Sequence, residues 1–499
     1  MAPPSSPAHR PGTEGSSDAS RRGELHVIGE RWTPAVWGAL ILLCGVLFLD
    51  GLDVSMVGVA LPSIRADLGL DTAQLQWIVS GYVLGYGGLL LLGGRAADLL
   101  GRRRVLLVGL SVFVVASLLG GLVSDPNLLI ATRFLKGASA AFTAPAGLSY
   151  ITTTFAEGPA RNKALSVYAA CGASGFSSGL ILGGLLTEAG WRWTFLLPAP
   201  FALAILLLAP RLLVKDRPAE RTRGDFDIGG AVTITAGMLL FVRTIVRAPE
   251  IGWTSTGTVI SFSIAVALLA AFVTIEKRVA QPLVRLSIFR TGHVLRANLG
   301  AMALFGGYVG FQFVATLYLQ SVLGWSALET AMAFLPAGLI VAFGAPQVGK
   351  LGERFGAATL VSAAFIAFVA AYALFLRAGA NPTYALVILP TMLLLGAGFA
   401  LGFPTLNIQA TNGVADHEQG LASGLVNTSF QVGGAIVLAV VSAVVGDGTA
   451  SGSDAGRFLD ASHTAVGVVT GVAVLGLVSA LSGLTWRRRT ALAAETLGA

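Results

Sequence analysis

Residues 93–104 read GGRAADLLGRRR, an apolar run ending in a glycine-flanked turn and three consecutive arginines. Glycine permits a tight turn, Asp98 can accept from Arg102 or from a helix N-terminus, and the arginines suit anionic headgroups. One such loop is an ordinary positively charged connection. This one recurs: Gly94, Asp98 and Gly101 reappear as Gly349, Glu353 and Gly356, each 255 residues later. The same interval separates LGLDTAQLQW at Leu68 from LGWSALETAM at Leu323. A looser echo, at 259 residues, relates GASAAFTAP (137–145) to GAGFALGFP (396–404). The chain is therefore expected to be two related halves.

Of its 499 residues 54% are hydrophobic and only 12% charged, which excludes an ordinary soluble globule, in which about a quarter of residues are charged. The reading is an all-α polytopic membrane protein. The 63 glycines read as close helix packing in lipid. Cys44 and Cys171 fall in different apolar segments and read as space-fillers without a disulfide framework. The net charge of +7 is spread over short loops, which points to a membrane surface and not to nucleic acid.

Apolar runs long enough to cross ~30 Å of hydrocarbon number fourteen, at about 36–60, 76–94, 104–123, 128–150, 163–186, 193–213, 228–246, 256–275, 297–319, 328–347, 357–376, 385–407, 421–445 and 464–485. Arg and Lys collect in alternate loops in a way that places both termini in the cytoplasm, and all eight tryptophans fall near proposed helix ends, at headgroup level. On the repeat register helices 1–6 pair with 9–14. The expected organisation is a disordered tail (1–34), a six-helix bundle (35–214), two inserted helices with linkers (215–290), a second six-helix bundle (291–486) and a tail (487–499). The first tail has no apolar run of the kind a cleavable signal needs.

Within the first span, FLDGLDVSMVGVALPSI (48–64) carries Asp50 and Asp53 three residues apart. A carboxylate at that depth needs a partner, a water path or a function. At 1.5 Å per residue, Asp53 and Asp50 lie ~12 and ~16 Å from the outer end of helix 1, and Arg133 and Lys136 ~9 and ~13 Å into helix 4, so acids and bases share a depth. Two readings stay open: a cluster in which an aspartate gains and loses a proton beside Arg133, or a permanently paired network that fixes helix packing. The second half has Tyr308, Phe305, Met392 and Leu395 at the equivalent positions, so the charge chemistry is confined to the first half. Lys136, Tyr308, Gln312, Asn407, Asn427 and Gln431 are candidate substrate-cavity residues, each polar or aromatic in an apolar helix; any one could instead bond helix to helix. In that setting Lys136 would disfavour cationic substrates.

Gly94, Asp98, Gly101, Arg102, Arg103 and Arg104 match the loop signature of the major facilitator superfamily. LDVSMVGVALP (52–62) resembles the first-helix signature of its fourteen-helix drug:proton antiporter branch, Arg133 and Gly137 fit the fourth-helix motif, and LYLQSVLGWSALETAMAFLP (317–336) is also similar. The resemblance implies two pseudo-symmetric six-helix bundles plus two helices, a conformational role for the loop residues and for Gly175, Gly179 and Gly183 of the fifth-helix motif, and proton coupling through Asp53. The sequence departs at Leu180, where the family usually has proline, at Gly58 in place of Asn, and at Lys136 in place of Gln. The expected function is proton-coupled export of an amphipathic drug or metabolite by a monomer in the cell (inner) membrane, with protons, lipids and a small-molecule substrate as partners. A uniporter or importer, or a non-transporting receptor, remains the alternative. No enzymatic activity and no cofactor or metal is expected: GAPQVGKL (344–351) has phosphate-loop spacing up to Lys350, but Leu351 stands where Ser or Thr would hold magnesium.

Overall fold

The computed structural model describes residues 32–155, 159–214, 227–279, 292–412, 414, 419–449 and 455–497. Among these residues the secondary structure is helical, without strands. Fourteen helices correspond to the fourteen expected spans: α1 (Pro34–Leu68), α2 (Thr72–Leu100), α3 (Arg102–Leu122), α4 (Pro126–Thr154), α5 (Pro159–Ala189), α6 (Trp193–Leu212), α7 (Ile228–Ile251), α8 (Thr256–Glu276), α9 (Gly292–Val322), α10 (Ala327–Phe355), α11 (Ala357–Phe375), α12 (Tyr384–Thr411), α13 (Gln419–Thr449) and α14 (Ala455–Leu497). Thirteen are long and apolar enough to cross a membrane. Only α4 falls outside that group; it has the length, 29 residues, but carries Arg133 and Lys136 in its first half. Many large apolar side chains of the bundle face outward, Leu122, Phe343 and Leu475 at 70% exposure or more among them, as suits a surface solvated by lipid.

The 255-residue repeat is visible in the backbone. Gly69 and Gly324 both adopt the left-handed conformation, with φ of 65° and 69°. Each is followed by a capping box that starts the next helix. Asp71 Oδ1 accepts from the Gln74 amide at 2.7 Å, while the Gln74 side chain accepts from the Asp71 amide. Ser326 and Glu329 repeat the arrangement at 3.1 and 2.8 Å. Reciprocal satisfaction of two orphan donors fixes where α2 and α10 begin. The α2–α3 and α10–α11 turns likewise pivot on Gly101 (φ 95°) and Gly356 (φ 81°).

The helices pack in two groups. In one, α1 runs along α5, α2 along α4, and α3 against α4 and α6; in the other, α9 packs on α13 and α14, α11 on α12 and α14, and α10 on α12. The groups meet where α5 touches α10 and α2 touches α13, and α7 rests beside α8 against that second seam. The seam around α1 is uneven. Its later half (Val57, Val59, Ala60, Leu61, Ile64) shares one apolar core with Tyr308, Phe311 and Phe334 of the second group. Its first half (Val36–Val46) packs in a separate core built only from residues before 214.

Candidate functional site: a buried carboxylate gripped by two cations

Asp53 is completely buried in α1, and both of its oxygens are occupied: Arg133 Nη1 donates to Oδ2 and Lys136 Nζ donates to Oδ1. The two bases project from the same face of α4 because they are three residues apart. Arg133 has a second anchor, Nε donating to the Ile78 carbonyl of α2 at 3.1 Å, and its guanidinium lies 4.9 Å from the Tyr82 ring centre. Lys136 Nζ sits 5.0 Å from the Phe113 ring and 5.2 Å from that of Phe195. Aromatic faces thus close off two cations already paired with a carboxylate.

Asp50, one turn earlier on α1, is 8% exposed, and its Oδ2 has no hydrogen-bond partner. The four ionisable groups carry no net charge when both acids are ionised and one positive charge when Asp50 holds a proton. Two sequence expectations change here. Depth alone set Lys136 level with Asp50, but both bases turn to Asp53. Lys136 was also a cavity candidate; it is instead wholly buried against Asp53, and its charge is matched there.

What holds α1 at this place is the glycine face of α5. A Cβ on Gly175 would lie 2.8 Å from the Phe48 Cα, on Gly179 2.5 Å from the Leu52 carbonyl oxygen, and on Gly183 2.8 Å from the Met56 Cα. The two backbones touch where Asp50 and Asp53 emerge, which only glycine at these positions permits. Leu180, where the resemblance leads one to expect proline, is buried in an α5 that runs as a single helix.

The second-half candidates separate into two sets. Tyr308 and Gln312 come to the α1 seam. Gln312 Nε2 fills the space that a Cβ on Gly58 would approach to 3.2 Å, so the glycine in place of Asn makes room for it. Gln431 packs against Gly87 of α2. Asn407 and Asn427 donate to carbonyls of their own helices, Phe403 at 2.9 Å and Ser423 at 2.8 Å. The sequence reading missed an aromatic path: rings of Phe176 and Tyr308 are 5.8 Å apart, Tyr308 and Phe399 4.7 Å, Phe399 and Phe403 5.3 Å, and Phe403 and Phe430 4.7 Å. The four-residue spacing of Phe399 and Phe403 was the available signal; among 26 phenylalanines it does not stand out. A donor also went unnoticed, Gln320, whose Nε2 bonds the Val59 carbonyl across the seam at 3.2 Å.

In the loop, Gly101 makes the turn, Arg102 donates to Thr153 Oγ1 at 2.7 Å and Arg103 to the Pro210 carbonyl at 2.8 Å, tying the loop to α4 and α6. Gly94 faces Pro145 of α4, whose Cβ is 3.8 Å from where its own would be. The side chain of Asp98 lies outside the described residues. GAPQVGKL forms the irregular middle of α10, a 3-10 turn at Ala345–Gln347, and follows no strand. Among the described residues no three His, Cys, Asp or Glu side chains gather as a metal site.

Comparison with known proteins agrees with this architecture. Residues 43–438 match the family model of the Major Facilitator Superfamily. The chain is 40% identical over 423 residues to the cephamycin export protein CmcT of Amycolatopsis lactamdurans, covering 84% of this chain and 86% of that one. It is 37% identical over 478 residues to the puromycin resistance protein pur8 of Streptomyces alboniger, covering 93% and 94%. Among solved structures, that of the POT family transporter PepTSo superposes with a TM-score of 0.64 at 15% identity, covering 91% of this chain and 98% of that one, a likeness of fold alone. With a family match across most of its length, a repeat written into backbone turns and fourteen helices among the described residues, the chain belongs to the Major Facilitator Superfamily.

Proposed function

We propose that the chain exports an amphipathic drug or metabolite in exchange for protons, by alternating access between the helix groups at 35–214 and 291–486, with α7 and α8 as an addition between them. One observation carries the proton assignment: Asp53 has both oxygens engaged by cations, whereas Asp50, one turn away and also buried, keeps an oxygen without a hydrogen-bond partner. Asp50 is the acid that gains and loses the proton. Asp53, Arg133 and Lys136 form the fixed polar frame that makes a charge at Asp50 tolerable, since protonation changes the net charge of the cluster by one.

The substrate passes the seam between the groups, where Tyr308, Gln312 and Gln431 offer polar atoms beside the aromatic path, a mostly apolar surface with few donors. Gly94, Gly101, Arg102 and Arg103, with Asp98, govern the movement of α2 against α3, and the α5 glycines keep α1 in register. The protein acts as a monomer in the cell membrane with both termini cytoplasmic. Names of the relatives guide the test. Cells with and without the protein are challenged with a panel that includes a cephamycin and puromycin, and purified protein in proteoliposomes is then given a pH gradient. Resistance to at least one compound, with uptake into inside-out vesicles that collapses when the gradient is dissipated, is the expected result. Uptake that persists without a gradient would favour a uniporter.

A further inference from the structure

The two cysteines of the chain, read from sequence as unrelated fillers, meet. The contacts of α1 with α5 follow a strict parallel register: Phe48 faces Gly175, Leu52 faces Gly179 and Met56 faces Gly183, each pair 127 residues apart. One turn further toward the start of both helices, the same register pairs Cys44 with Cys171, also 127 apart. The backbones stay close beside this pair, since a Cβ on Gly51 would lie 2.7 Å from the Gly172 carbonyl oxygen. The two thiols are free. Cys44 is buried and Cys171 half-buried.

We propose that Cys44 and Cys171 are a thiol-modification site, a native dithiol that two-electron oxidants convert to a disulfide tying α1 to α5 on the near side of Asp50. A disulfide needs Cα atoms within about 4.4–6.8 Å and converging Cβ vectors. Parallel helices at glycine-packing distance, with cysteine at facing positions, set the two thiols on the shared face where such a bond would form. With molecular iodine as the oxidant, two S–H bonds break and one S–S bond forms; the two electrons reduce I₂ to two iodide ions and the two protons leave to water. Iodine partitions into apolar surroundings, so burial of Cys44 does not protect it.

The test uses the purified full-length protein in lipid nanodiscs, fully reduced, then treated with iodine and, separately, with diamide. After alkylation of remaining thiols and proteolysis, mass spectrometry looks for the peptide pair joined through Cys44 and Cys171, two hydrogens lighter than the free pair. The expected result is a reductant-sensitive joined pair, with loss of both alkylated thiols and a higher unfolding temperature that returns on reduction. A variant carrying C171S and A170C moves the thiol about 100° around α5 and is expected to cross-link at least ~10-fold less. Both thiols remaining fully alkylatable after either oxidant, or equal cross-linking in the displaced variant, would overturn the assignment.

Discussion

Replacing Asp53 with Asn removes the counter-charge of two buried cations and leaves the shape of the site unchanged. Arg133 and Lys136 are 2% and 0% exposed, so neither can turn to water without repacking α4 against α1 and α2. Breaking a buried pair by deleting one partner costs about 3–5 kcal/mol, because the surviving charge is left uncompensated. Two cations stand here on one carboxylate, which sets the expected loss at the upper part of that range. At roughly 2 °C per kcal/mol for a large chain, the unfolding midpoint falls by roughly 8–10 °C. Asp50→Asn should behave differently: the Asp50 oxygen without a partner has no hydrogen bond to lose, and the midpoint stays within about 2 °C. Adding Lys136→Met to Asp53→Asn removes one stranded cation and recovers at least about half of the loss, a coupling that only contacting residues show. The assay is thermal unfolding in a fixed detergent at a fixed scan rate, because the midpoint of an irreversible transition depends on scan rate. An Asp53→Asn protein as stable as the parent, or a double variant no better than the single, would refute the reasoning.

Further perturbations read other parts of the structure. Gly183→Ala puts a methyl 2.8 Å from the Met56 Cα and is expected to lower stability by about 1–3 kcal/mol, whereas Gly349→Ala, with nothing within 4 Å, is close to neutral in the same unfolding assay. Arg133→Lys keeps the charge but loses the Nε bond to the Ile78 carbonyl; about 1–3 kcal/mol of stability and part of the export rate should go with it. Gly69→Ala and Gly324→Ala each force alanine into the left-handed region and should cost the same ~1 kcal/mol, since the two turns are copies. Gln312→Ala, tested by transport kinetics, is expected to raise the KM for exported compound several-fold with little change in maximal rate, the mark of a residue that contributes to binding alone.

Much of the fold was legible because its signals are local. The turn at Gly69 and the Asp71–Gln74 box act within a few residues, so their copies at Gly324 and Ser326–Glu329 could be found by counting. Helix lengths follow from the thickness of a bilayer, and the α5 glycines stand in one row that a helical period reveals. The charge cluster was legible only in part. Rise per residue gives depth, and depth brought Asp50, Asp53, Arg133 and Lys136 to one level; the rotation of α1 and α4 about their axes, which decides that Lys136 meets Asp53 and not Asp50, is set by packing against α2 and α5. The aromatic path from Phe176 to Phe430 was illegible for a similar reason. It joins α5, α9, α12 and α13, and no one of these helices differs in composition from an ordinary apolar span. Cys44 and Cys171 looked unrelated until the α1–α5 register was known, because pairing across two helices depends on an offset that neither helix contains.

The central claim is that Asp50 exchanges the proton while Asp53 is held. Its most direct test compares Asp50→Asn with the parent in proteoliposomes loaded with an exported compound, measuring movement driven by a pH gradient and, separately, counterflow of labelled against unlabelled compound with no gradient. Asp50→Asn is expected to keep counterflow and lose gradient-driven movement. Gradient-driven movement at the parental rate in a folded Asp50→Asn protein would contradict it.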